Sequence, residues 1–152
     1  MLAGVVLPGV VVRAAGAADV RSVAALAEQF GTSFPFSPSA FRISFDELLQ
    51  TSQACLLVAD SRGQASGYVL GFAHPTFFAN GPVAWLEEIM VAADQRRAGL
   101  GGALVAAFEH WATGRGCRLV ALATRRAEAF YRGLGYTPSA TYLRKELPHG
   151  QP

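Results

Sequence analysis

The sequence predicts an α/β protein: a mixed, mostly antiparallel sheet of about six strands with helices on both faces, in the order β-α-α-β-β-β-α-β-α-β. Three observations carry this. Apolar strands joined by turn residues dominate the middle of the chain, as hairpins do. A strand, a long amphipathic helix and another strand then follow, the pattern of a βαβ unit with a parallel pair. The 152 residues are 51% hydrophobic and 16% charged, which suits one packed domain over 1–152 rather than a disordered chain.

Taken in order, residues 10–14 read as an opening strand. "AADVRSVAALAEQF" has helical spacing, with Val20, Val23, Leu26, Ala27 and Phe30 on one face. Asp19 is placed to cap its start and Gly31 to end it. "TSFPFSPSAF" is a loop with two prolines and three phenylalanines, and "SAFRISFDELLQ" a second helix. "ACLLVAD" and "ASGYVLGFAH" form a hairpin around "SRGQ". "PTFFANGP" is a loop with an Asn-Gly turn, followed by the strand "VAWLEEIMVA". Residues 99–114 form the main helix, with Leu100, Leu104, Phe108 and Trp111 on one stripe and Gly114 and Gly116 stopping it. "CRLVALA" is a strand, "RAEAFYRGLG" a short helix, and "YTPSATYLRKEL" a last strand bent near Pro138.

Several function classes are disfavoured. The net charge of +2 is small and the arginines come singly or in pairs, so neither nucleic acid nor a membrane is an expected partner. The apolar N-terminal run lacks a preceding cation and is interrupted by Pro8 and Gly9, unlike a signal peptide, so a cytoplasmic location is expected. Cys55 and Cys117 lie in apolar stretches and read as reduced thiols in the core. His74, His110 and His149 include no pair at metal-ligand spacing, so no metal is expected.

The segment "DQRRAGLGGAL" is the most informative. A strand runs into it, and it opens the main helix, where free N–H groups and the positive dipole end face outward. Glycines let a bulky anion approach that backbone, and arginines add charge-assisted hydrogen bonds. This is how a diphosphate cradle is built. It is not a P-loop, since no Gly-Lys-Ser/Thr precedes the helix, and in a G-x-G-x-x-G reading from Gly99 the third glycine position is Leu104.

Arg96-Arg97-Ala98-Gly99-Leu100-Gly101 matches the R/Q-x-x-G-x-G/A signature of the GCN5-related N-acetyltransferases. The preceding "LEEIMV", with paired acids, and the later "AEAFYRGLGY" also resemble that family, in the same order and over nearly the whole chain. The resemblance implies acetyl-CoA as cosubstrate and an amine of a small molecule or peptide as acceptor. It implies that the main chain of Ile89, Met90 and Val91 pairs with the pantetheine arm, and that N–H groups from Arg97 through Ala98, Gly99, Leu100 and Gly101 to Gly102 hold the pyrophosphate, with Arg96 and Arg97 near phosphates. Thr124, Ala127 and Phe130 fall in the family's coenzyme-contacting segment. Thr124 stands where an Asn is common, and Arg97 where a Gly is common; a positive φ at Arg97 would strain it. Tyr131 matches the tyrosine near the coenzyme sulfur, often the acid for the departing thiolate. A homodimer is common in the family.

The amine must lose a proton before it attacks, and a carboxylate can take it. Glu87 and Glu88 are strand neighbours, so alternation sends them to opposite faces. Relatives with a similar triplet use the first acid through water, which favours Glu87. Phe34, Phe36 and Phe41, with Phe77, Phe78 and Trp85 from the other side, are expected to wall an acceptor site, and His74 to face it. These residues point to a small amine with an apolar or aromatic part. Two other readings compete with the acetyltransferase: a non-catalytic coenzyme-A-binding sensor or interaction module, and, more remotely, a nucleotide-binding α/β domain. The retained Tyr131, Glu87 and Glu88 favour the enzyme.

Overall fold

The computed structural model describes residues 7–30 and 33–150. The chain divides into two compact units, Met1–Leu122 and Ala123–Pro152. The first holds a five-stranded sheet in the order β1-β2-β3-β4-β5, with β1 Val10–Ala14, β2 Ala54–Ser61, β3 Gln64–Thr76, β4 Gly81–Val91 and β5 Val120–Leu122. The first four strands pair antiparallel and β4–β5 is parallel, so the expected hairpins and βαβ unit are both present. Helices α1 (Val20–Phe30) and α2 (Pro38–Gln50) pack on one face and α3 (Leu100–Gly114) on the other.

Local chemistry accounts for the boundaries. The β2–β3 turn has Arg62 at φ 58° and Gly63 at φ 85°, two left-handed residues as a tight hairpin requires. Ser37 caps α2 by accepting from the Ala40 N–H at 3.3 Å, and Pro38 occupies the first turn. Asp19 does not cap α1 directly. It ends a turn of 3₁₀-helix, Ala17–Asp19, and reaches back to the Gly16 N–H at 2.7 Å. Its carboxylate also takes both Arg13 guanidinium nitrogens at 2.8 Å, while Arg13 Nε donates to Asp60 at 2.9 Å. Gly31, the expected stop of α1, lies outside the described residues.

Two cores sandwich the sheet. Val23, Leu26 and Phe45 from α1 and α2 meet Val58, Tyr68 and Leu70. On the other face Leu100, Leu104 and Phe108 of α3 are buried against the strands. Gly71 faces that helix; a Cβ there would strike the Phe108 ring and lie 2.6 Å from the Trp85 carbonyl oxygen.

The expected sixth strand over 136–147 does not form. Among the described residues, 137–150 join no ladder. The segment carries Pro138 and adjacent apolar residues Tyr142 and Leu143 instead of a clean alternation, and both side chains are exposed with Leu147. A strand needs a partner edge for its N–H and C=O groups as well as β-forming residues. The second unit's described regular element is α4, Glu128–Gly133. The β3–β4 connection is shorter than expected, because both strands run on to Thr76 and from Gly81.

Candidate active site

The two acids of β4 sit at a break in the strand's rhythm. Leu86 opposes Gly71 and Glu88 opposes Leu70, so Glu87 is an extra residue in a β-bulge. Gly71 faces α3, whereas Leu70 belongs to the α1/α2 core. Opposed residues share a face, so two steps along β4 change face, where a regular strand would return to the same one. The simple alternation expected for Glu87 and Glu88 therefore fails here. Glu88 belongs to the α1/α2 side and is half-buried, while Glu87 is exposed at the bulge.

Tyr68, a residue the sequence did not single out, donates its hydroxyl to Glu88 Oε1 at 2.9 Å. Burial raises the Glu88 carboxyl above its ordinary value, the Tyr68 hydrogen bond pulls it back in part, and the nearby Glu87 charge adds to the rise. The Tyr68 phenol is itself pushed up by burial and by the Glu88 charge, so it stays a donor. Tyr68 opposes Met90 on the ladder, which brings its ring beside Glu88 on the same face. Only knowledge of the bulge could have revealed that pairing.

Beyond the bulge the parallel pairing ends. β5 pairs with β4 only at Ala84, Trp85 and Leu86. Among the described residues, no strand continues along that edge of β4 past Leu86, so the edge at Ile89, Met90 and Val91 is left for another extended chain. The Val91 carbonyl accepts from Arg96 Nε at 3.3 Å, so Arg96 folds back on the strand it follows. The loop then turns through two left-handed residues, Arg97 at φ 63° and Gly99 at φ 85°.

α3 starts at once, and its first intrahelical bond runs from Ala103 N to Gly99 O at 3.0 Å. The N–H groups of Leu100, Gly101 and Gly102 precede that bond, as at any helix start. A Cβ at Gly102 would meet nothing within 4 Å. The Leu100 side chain is buried in the core, leaving only its main chain to a ligand, and Arg97 and Ala98 are exposed. An open glycine at Gly102, the N–H groups of a helix start and adjacent arginines suit a diphosphate, and the β4 edge leading to them suits an extended arm.

On the α1/α2 side, Glu88 and Tyr68 line a cavity of about 90 Å³. Val23, Ala27, Phe41, Phe45 and Leu48 form much of its wall. Of the expected aromatic wall, Phe41 is therefore present, with the Phe36 ring tilted against it at 5.7 Å between centroids, while Phe77 and Phe78 are exposed. Phe34 is 62% exposed. Trp85 opposes Phe72, and His74 opposes Val83 four residues along β3 from Leu70, a rise of about 13 Å. His74 is exposed and is not gathered with Glu88.

In the second unit, Thr124 Oγ1 accepts from the Ala127 N–H at 3.0 Å and so closes the turn entering α4. Phe130 is exposed and packs edge-on to Tyr131 at 5.0 Å. Tyr131 is buried, which raises its phenol pKa, and Tyr136 packs on its other side at 5.7 Å.

A mixed sheet whose parallel partner stops at a bulge, followed by a glycine-rich helix start, is the arrangement expected of a coenzyme-A-dependent acyltransferase. The family comparison agrees: residues 22–136 match the acetyltransferase (GNAT) family model, and the chain belongs to that family. An aminoglycoside N(6')-acetyltransferase type 1 from Acinetobacter genomosp. 13 is 32% identical over 124 residues, 75% of this chain and 85% of the relative. An acetyltransferase of Trypanosoma brucei superposes with a TM-score of 0.78 at 23% identity, covering 91% of this chain and 99% of that one. An aminoglycoside N-acetyltransferase crystallised in complex with CoA superposes with a TM-score of 0.74 at 23% identity, covering 91% and 95%. The chain is an acyltransferase whose cosubstrate is acetyl-CoA and whose acceptor is an amine.

Proposed function

We propose that the chain acts as a single acetyltransferase domain on a primary amine of a small molecule, by direct attack, in the cytoplasm. The observation that carries this is the continuity of the bulge acids, the free β4 edge and the open start of α3 along one stretch of chain, Glu87 to Gly102. Acetyl-CoA supplies the acetyl group already activated as a thioester.

The N–H groups from Arg97 to Gly102 hold its pyrophosphate and the β4 edge aligns its arm. Glu87 takes the first ammonium proton. A relay through water needs an acid that water reaches, and Glu87 is exposed while Glu88 is half-buried and bonded to Tyr68. Glu88 holds the nitrogen in place from the α1/α2 side. The nitrogen forms the amide bond as the carbon–sulfur bond breaks. One proton goes through Glu87 to solvent, and the second ends on the coenzyme thiol. The family motif assigns Tyr131 that second proton, and its burial, which keeps the phenol protonated, supports the role.

Thiol release from acetyl-CoA on adding a primary amine, with the acetylated amine seen by mass spectrometry, tests the reading. Thiol release without an acetylated amine contradicts it.

A further inference from the structure

The cavity beside Glu88 has a chemistry that restricts the acceptor. Its wall is nearly all hydrocarbon: Val23 and Ala27 of α1, Phe41, Phe45 and Leu48 of α2, and Leu70 of β3. Among the described residues that line it the only carboxylate is Glu88, and the other polar side chains are Ser44 and the Tyr68 phenol, which is already bonded to Glu88. Ser44, at one side of the cavity, is exposed, and Phe41 and Ala27 are half-buried, so the cavity opens there.

The acids of the neighbouring helix surfaces do not add to this charge. Asp46 is paired with Arg42 at 3.0 Å, and Glu28 and Glu47 are exposed and line no part of the cavity. A saccharide with several ammonium groups and many hydroxyls would leave most of them without partners against such a wall, and an unpaired polar group out of water is costly. A single ammonium on a hydrocarbon body has the opposite balance. Its one charge meets the Glu88 carboxylate, with Glu87 beside it at the bulge to take the proton, and a short alkyl chain or one ring fills about 90 Å³.

We propose that the acceptor is a compact primary monoamine with an alkyl or aromatic body, its ammonium beside Glu88 and its body between α1 and α2, rather than a polycationic saccharide. The proposal rests on the acetyltransferase reading above and goes beyond it in naming the acceptor class, which differs from the one the aminoglycoside-named relatives carry in their names.

The test compares kcat/KM for phenethylamine, n-butylamine and the aminoglycoside kanamycin at saturating acetyl-CoA, with acetyl-CoA affinity measured by calorimetry. At least one monoamine should exceed kanamycin tenfold or more. Ala27→Phe, which fills the cavity, should raise KM for the better monoamine at least tenfold and leave the acetyl-CoA Kd within threefold. Preference for kanamycin, or an unchanged KM in Ala27→Phe, overturns the acceptor proposal and leaves the acetyltransferase reading standing. Absence of both acetyl-CoA binding and acetyl transfer to any of the three overturns both.

Discussion

Glu88 is held by opposing influences, and its stability signature follows from them. Burial raises its carboxyl in the folded chain, so the native state binds the proton more tightly than the unfolded one. Stability tied to Glu88 is then highest at acid pH and falls as pH rises from the ordinary carboxylate range through the raised value. Glu88→Gln keeps an acceptor for Tyr68 and removes the charge. It should stabilise the fold at pH 7 by about 1 kcal/mol, an advantage that shrinks below about pH 4, while weakening acceptor binding. Urea unfolding at the two pH values checks the first part.

Asp19 behaves in the opposite sense. The Arg13 hydrogen bonds hold its carboxyl below the usual range. Its contribution is present above the ordinary aspartate pKa and is lost as pH falls through the depressed value. Asp19→Asn should cost about 1–3 kcal/mol at pH 7, and the gap to wild type should narrow in strong acid. Arg97 carries a third residue-scale effect. Its left-handed φ of 63° disfavours any side chain, so Arg97→Gly should stabilise the loop by up to about 1 kcal/mol while removing a cation from the cradle. Calorimetry should then show weaker acetyl-CoA binding in a chain that melts no lower.

At the scale of elements, two glycines separate packing from binding. Gly71 lets β3 approach α3, and a Cβ there collides with Phe108. Gly71→Ala should destabilise by about 1–3 kcal/mol, read from the denaturation midpoint. Gly102 sits in the first turn of α3 facing open space. Gly102→Ala should raise helix stability by up to about 1 kcal/mol yet weaken acetyl-CoA binding several-fold, because in the proposed cradle the methyl would stand in the path of the pyrophosphate. A loss of both would mean that the glycine serves packing and not the cradle.

The legibility of these elements followed their physics. The stripe Leu100, Leu104, Phe108 and the Arg96–Gly101 segment were readable because helical period and helix-start chemistry are local. The bulge at Glu87 was not, because it exists only in the pairing of β4 with β3. The Tyr68–Glu88 bond and the cavity behind it depend on that pairing, so they were invisible as well. The strand expected over 136–147 had β-forming residues but no partner edge that the sequence could reveal, and the length of the β3–β4 hairpin, which sets the distance of His74 from Glu88, is likewise fixed only by pairing.

For the molecule as a whole, among the described residues no helix is long and apolar enough to cross a membrane, and no group of three His, Cys, Asp or Glu side chains gathers as metal ligands. The first unit alone supplies the acid pair, the free strand edge and the helix start, all on one stretch from β4 into α3, Glu87 to Gly102. In the proposed reaction this stretch performs acetyl transfer with Glu87 moving the proton. The most direct test is the pH dependence of kcat/KM for a primary amine, in wild type and Glu87→Gln, across the range from neutral to well above pH 9. General-base help is worth about 10²–10⁴ in rate, and it matters least where the amine is already free, near its pKa of about 10. The predicted result is a loss in that range at pH 7 which diminishes steadily toward high pH. A loss of the same size at every pH, or no loss at all, would contradict the account.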